Sequence, residues 1–156
     1  MSRISWCKKQ DKGIKVVEPN DNLSREYFEN AEESLRILRA INAEGSNMWS
    51  ATTKYYIEYF AVYSVLMKLG IKCEIHDCTL ALVEFLEKEG IFTAGTAALI
   101  RKDKERRIDN QYYLKNSPVD VDFEMLSGFL ISIRKILDGL DYDRIHDVRK
   151  KLKRLD

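Results

Sequence analysis

Proline and glycine are scarce in this chain of 156 residues, which holds 2 Pro and 7 Gly. That excludes a collagen-like or low-complexity chain and leaves few places where a helix must break. No charge of one sign dominates either. Lys and Arg number 26 against 25 Asp and Glu, a formal charge of +1, so the bulk charge offers no warrant for a dedicated DNA or membrane binder. The longest uncharged apolar-rich run, Tyr59 to Met67, falls far short of the roughly 20 residues that cross a bilayer, and no membrane span is expected. A glycine-rich phosphate loop, a dinucleotide fingerprint and a nucleophile elbow are all missing, and no cofactor is expected. Cysteine is limited to Cys7, Cys73 and Cys78. An odd set of three, after a polar opening from Met1 to Lys12, predicts reduced thiols, no secretory leader and a cytoplasmic location.

What the chain does have is enough apolar material for one core, with 45% hydrophobic and 10% aromatic residues. Its length is that of a single domain. Ile4 to Pro19 alternates weakly around Trp6 and Ile14-Lys15-Val16-Val17, with the turn-like Asp11-Lys12-Gly13 between. This predicts a small hairpin or an extended arm, or else an irregular tail.

From Asn20 onward the period becomes helical. Asn20, Asp21 and Asn22 offer capping oxygens before Leu23, and Tyr27, Ala31, Leu35, Leu38 and Ile41 share one face up to Gly45. Ser46 or Asn47 caps a second helix that is apolar on nearly all sides and stops at Gly70. A third is predicted from His76 to Lys88, closed by Gly90. Thr93 to Lys115 reads as one long helix, broken near Gly95. It contains seven successive charged residues, Arg101 to Arg107, which read as a solvated face. After Ser117-Pro118, Asp120 is expected to cap a helix with Phe123, Leu126, Phe129, Leu130, Ile133, Ile136 and Leu137 inward and Gly139 at its end. The tail from Tyr142 to Leu155 places Ile145, Val148, Leu152 and Leu155 on one face and its basic residues elsewhere.

The fold expected is therefore all-α. It is an antiparallel up-and-down bundle of five to six helices, with residues 1–19 as an N-terminal extension, 20–141 as the bundle and 142–156 as a basic amphipathic helix.

Few groupings point to chemistry. Gly45-Ser46 and Asp120-Val121-Asp122 are pieces found in nucleotidyltransferase sites, but no strand pattern surrounds them and they read as helix punctuation. Cys73, His76 and Cys78, with Cys7 elsewhere, are zinc-ligand types at the wrong spacing, so buried thiols beside a capping or surface histidine are expected and no metal site is assigned. Tyr55, Tyr56, Tyr59 and Tyr63 recur at helical spacing, as core, as a dimer interface or as a base-stacking platform. Arg106-Arg107-Ile108-Asp109-Asn110-Gln111-Tyr112-Tyr113 sets Arg107 and Gln111 one helical turn apart, with Asp109 near Tyr112 or Tyr113. Such a set suits a phosphate or a base; the alternative is a charged helix end whose tyrosines dock on the core.

Three passages together resemble the HEPN domains, small helical bundles of prokaryotes and higher eukaryotes. Tyr55 to Ile71 is similar to the family's aromatic second helix and the turn behind it. His76 falls where many members place a histidine at the start of the next helix. Arg107-Ile108-Asp109-Asn110-Gln111-Tyr112 is similar to the family's arginine, variable pair, then alanine-aspartate-tyrosine pattern, with Asn110 and Gln111 in place of alanine and aspartate. The likeness runs from about Leu23 to Leu140.

The resemblance implies a homodimerising bundle, often companion to a small nucleotidyltransferase. Arg107 would contact phosphate, Tyr112 would stack or hydrogen-bond, and Asp109 would orient the arginine, with Gln111 and Arg106 beside them. The family's ribonucleases, many of them toxins, carry a histidine four to six residues after an arginine; Arg101, Arg106 and Arg107 have none at that distance. Gln111 cannot exchange a proton near neutral pH. Catalysis is thus not expected, and a nucleotide-binding or partner-binding module is. The rival is a metal-independent ribonuclease in which His76 or His146 reaches Arg106 or Arg107 through the fold or from a second subunit. A third reading is a scaffold whose basic tail docks a protein or RNA.

Overall fold

The computed structural model describes residues 2–155 and is mostly helical among them. The opening segment departs from expectation. α1 (Arg3–Lys9) is a helix whose N-terminus is closed by the Ser2 hydroxyl accepting from the Ser5 amide at 3.1 Å. Ile4 and Cys7, three residues apart, share its buried face, while Trp6 points to solvent. The second run becomes β1 (Lys15–Val16), which pairs antiparallel with β2 (Ile71–Lys72) in the register Lys15↔Lys72 and Val16↔Ile71. There is no hairpin: the strand's partner lies beyond two long helices, and a two-residue strand carries no local signal of its mate.

The bundle elements follow the predicted punctuation closely. Asn20 Oδ1 caps α2 (Asp21–Glu44) through the Leu23 amide at 2.9 Å, and Gly45 ends it in the left-handed region at φ 77°. Ser46 Oγ caps α3 (Asn47–Leu69) through the Trp49 amide at 3.2 Å. Gly45 and Ser46 are thus the helix punctuation that their sequence suggested. α3 is the central element, buried on most sides against α2, β2 and the helices that follow.

α4 (His76–Lys88) turns Leu80, Leu82, Val83 and Leu86 into the core. α5 (Thr96–Gln111) starts after Gly95 at φ 95°, where the chain was expected to break. Gly95 has no side chain to cap the helix, and Glu87 Oε1 of α4 accepts from the Ala97 amide at 2.6 Å instead. α6 (Phe123–Gly139) is capped by Asp122, which accepts from the Met125 amide at 3.0 Å, two residues later than the Asp120 cap expected. Asp141 caps α7 (Tyr142–Arg154).

Two further expectations are corrected. The five to six helices become seven among the described residues, because α1 joins them. The charge run on α5 is not wholly solvated, since Asp103 and Arg107 are buried against α3. The flanking segments also share the main core: Ile4, Cys7 and Ile14 from the start, and Val148 and Leu152 from the end, belong to the same apolar cluster as α3 and α4. No helix among the described residues is long and apolar enough to cross a membrane.

Gly70 shows how tightly α7 is tied to α3. Its φ is +70°, and Arg149 Nη1 donates to the carbonyls of Leu69 at 3.1 Å, Gly70 at 2.9 Å and Val17, closing the C-terminus of α3. A Cβ at Gly70 would collide with Arg149 Nη1 and with the Val17 carbonyl. Gly70→Ala is expected to cost at least about 1–2 kcal/mol from the left-handed backbone alone, with the clash added. A urea midpoint equal to the wild type's would contradict this.

Candidate functional site

Of the predicted site residues, Arg107 packs on the aromatic face of α3. Successive turns of α3 present Tyr55, Tyr56 and Tyr59 toward the first residue of α4 and the second half of α5. His76 Nδ1 lies 2.8 Å from the Tyr55 hydroxyl, and its ring stacks on Tyr59 at 4.6 Å and on Tyr55 at 6.0 Å. The Arg107 guanidinium carbon sits 4.6 Å from the Tyr55 ring centroid, 5.6 Å from that of Tyr56 and 5.9 Å from that of Tyr112. Its Nη1 donates to the Tyr56 hydroxyl at 3.4 Å, a long bond.

Arg107 is the unusual member. It is 7% exposed, no carboxylate pairs with it among the described residues, and its buried Nε has no hydrogen-bond partner. Buried guanidiniums are ordinarily paired, because desolvating a charge is costly. Here aromatic faces and one long hydrogen bond to the Tyr56 hydroxyl are what compensate. Tyr55 beneath it is buried, whereas Tyr112 on the other side is 63% exposed. The cation is thus one exposed aromatic side chain away from solvent.

The titratable groups in contact with Tyr55 and Arg107 are neutral. Burial lowers the His76 pKa, and Arg107 and Lys104 lower it further, so the imidazole is neutral at pH 7. Burial raises the Tyr55 pKa, partly offset by Arg107, so the phenol keeps its proton. A phenol is the better donor and an imidazole nitrogen the better acceptor, so Tyr55 donates to Nδ1 and leaves the proton of His76 on Nε2. Lys104, one turn before Arg107, is engaged by Asp77 beside the histidine.

The other predicted residues are placed differently. Asp109 pairs with Lys115 Nζ at 3.0 Å and not with Arg107, so it does not orient the arginine. Gln111 lies on the same helix one turn beyond Arg107, half-buried, with Oε1 lacking a partner. Arg106 is half-buried and its side chain makes no hydrogen bond or ion pair among the described residues; its carbonyl accepts from Asn110 Nδ2 at 3.0 Å. Tyr113 is exposed with Lys115 Nζ 5.7 Å from its ring, so neither Tyr112 nor Tyr113 docks in the core. His146 stacks on Tyr142 in α7 and touches neither Arg106 nor Arg107.

The cysteines depart from the expectation of free thiols. Cys7 and Cys78 form a disulfide that ties α1 to the first turn of α4, leaving Cys73 as a buried thiol that donates to the Ile75 carbonyl at 3.4 Å. Burial raises the Cys73 pKa and makes it a poor nucleophile. With two of the candidate sulfurs joined to each other, no group of three metal-capable side chains forms among the described residues.

Sequence reasoning missed a second polar cluster one turn away. Lys54 Nζ meets Asp103 Oδ1 at 3.1 Å, and the fully buried Glu58 faces Asp103 with both of its oxygens otherwise unpartnered. The signal was present: Lys54 and Glu58 stand one turn apart within an otherwise nearly uncharged helix, and Asp103 and Arg107 repeat that spacing on α5. No family model matches the chain, and no curated protein or solved structure is significantly similar to it.

Proposed function

We propose that the protein is a non-catalytic, nucleotide-binding helical module of the HEPN type, in which Arg107 receives a phosphate group and Tyr112 covers the base or sugar. One observation supports this most: a guanidinium that is nine-tenths buried, without a carboxylate, beneath an exposed tyrosine. An incoming phosphate would provide the charge-assisted hydrogen bonds that Arg107 lacks. Asp77, the carboxylate beside His76, is paired with Lys104 and so is not free to compete for Arg107. Homodimerisation and companionship with a nucleotidyltransferase belong to the same reading, and the exposed Trp49, Tyr112 and Tyr113 suit a protein interface.

The test is calorimetric titration with ATP, GTP, CTP and UTP, with and without magnesium. Saturable binding is expected, weakened at least about tenfold in Arg107→Ala through loss of a charge-assisted contact. Tyr112→Ala, at an exposed position, is expected to weaken it without affecting the fold. Affinity unchanged in both variants would refute the assignment.

A second reading has an observation of its own. His76 and Arg107 both contact Tyr55, so a histidine absent from the local motif stands near the arginine through the fold. In that reading His76 is the proton-transfer group of a metal-independent ribonuclease. Cleavage of RNA in chelator, lost in His76→Ala, would support it; inertness of the wild type toward varied RNAs would remove it.

A further inference from the structure

We propose that the outer stripe of α7 is a separate docking surface for the phosphate backbone of single-stranded nucleic acid. His146, Arg149, Lys150, Lys153 and Arg154 line one surface depression that contains no acidic side chain. Their spacing along the helix is i, i+3, i+4, i+7 and i+8, a single strip about 12 Å long at the helical rise. The chain as a whole carries only +1, so this strip arises by segregation of charge and not from composition.

The segregation is visible in the ion pairs. Asp147 bonds Arg144 at 3.1 Å and Lys151 at 3.2 Å, and Lys151 also reaches Glu89 at 2.8 Å. Asp147 flanks the strip and Glu89 lies on another element, and both are engaged by Arg144 and Lys151. Lys150, Lys153 and Arg154 are exposed and have no acidic partner among the described residues. Lys8 adds a cation at the end of α7, where its Nζ donates to the carbonyls of Leu152 at 3.3 Å and Lys153 at 3.1 Å.

Three features favour a nucleic acid over an anionic membrane. Val148 and Leu152 are fully buried in the core, so α7 cannot roll its apolar face into a bilayer as an interfacial helix does. Arg149 is held by three backbone carbonyls, so the middle of the strip is fixed in place. At the N-terminal end Tyr142 is 80% exposed and lies parallel to His146 with ring centroids 6.2 Å apart, leaving an outer face on which an unpaired base can stack. None of these residues belongs to the Arg107 site.

Fluorescence anisotropy with a labelled single-stranded oligouridylate tests the proposal on the full chain. Binding should weaken with salt at a log–log slope of about −2, as expected for three neutralised phosphates. The exposed triple variant Lys150→Ala, Lys153→Ala, Arg154→Ala should lose at least about tenfold in affinity and most of that slope, with an unchanged melting temperature. The triple variant should keep the nucleotide binding of the Arg107 site, none of whose residues it alters. Wild-type oligonucleotide affinity in the triple variant would overturn the proposal and leave the Arg107 reading standing. Capture by phosphatidylserine vesicles that depends on the three residues, without oligonucleotide binding, would also overturn it.

Discussion

Reduction of the Cys7–Cys78 bond is expected to lower the unfolding free energy by about 4 kcal/mol. The two cysteines are 71 residues apart, and opening a loop of that length returns a large conformational entropy to the unfolded chain. For a domain of this size the melting temperature should fall by about 8–16 °C. Cys7→Ser with Cys78→Ser should reproduce the loss without reductant. Alkylation of the denatured, unreduced protein should label one cysteine, Cys73, and all three only after reduction. Three labelled thiols without reductant would show that the bond does not form. The expectation of uniformly reduced cysteines rested on their odd number, which a single pair plus one buried thiol satisfies equally well.

The second large effect lies at the α3–α5 contact. Lys54→Ala leaves Asp103 buried without its ammonium, and stranding one partner of a buried ion pair costs about 3–5 kcal/mol. Glu58 adds a pH dependence of defined sign. Burial, then its hydrogen bond and repulsion with Asp103, raise its pKa well above the ordinary 4.5, while Lys54 only partly offsets this. The folded protein therefore holds a proton that the unfolded chain releases. Stability is greatest below the unfolded value and falls as pH rises above it toward the folded pKa. Glu58→Gln keeps the shape and removes the titration. It is expected to match or trail the wild type in acid and to exceed it at alkaline pH, with a flatter stability profile in urea titrations between pH 4 and pH 9. A variant profile parallel to the wild type's would show that Glu58 does not hold the proton.

Much of the helix layout could be read directly because its determinants are local. Asn20 and Ser46 close helix starts through oxygens that reach amides three residues on, and Gly45 and Gly70 end helices at positive φ. The α1 region misleads because Ile4 and Trp6 fit a weak alternation about as well as Ile4 and Cys7 fit a single turn of helix. A seven-residue helix has too few periods to decide between them. The candidate site was half legible. The Arg107 to Tyr112 stretch was picked out, but Asp109 was given the wrong partner, because Lys115 reaches it only after α5 ends at Gln111 and the chain turns back. His76 was noted for its position, yet nothing within its own helix ties it to Tyr55.

The amino-acid sequence by itself determined an all-α chain, the ends of most of its helices and the residues most worth watching on α5, since caps, glycine stops and a 3.6-residue period act over a single turn. Tertiary structure alone decided the rest: that Cys7 meets Cys78, that β1 pairs with β2, that Lys54, Glu58 and Asp103 share one buried pocket, and that Arg107 is enclosed by Tyr55 and Tyr112. Those contacts join residues distant in the chain. Their energies come from desolvation and packing, which exist only once the helices have come together.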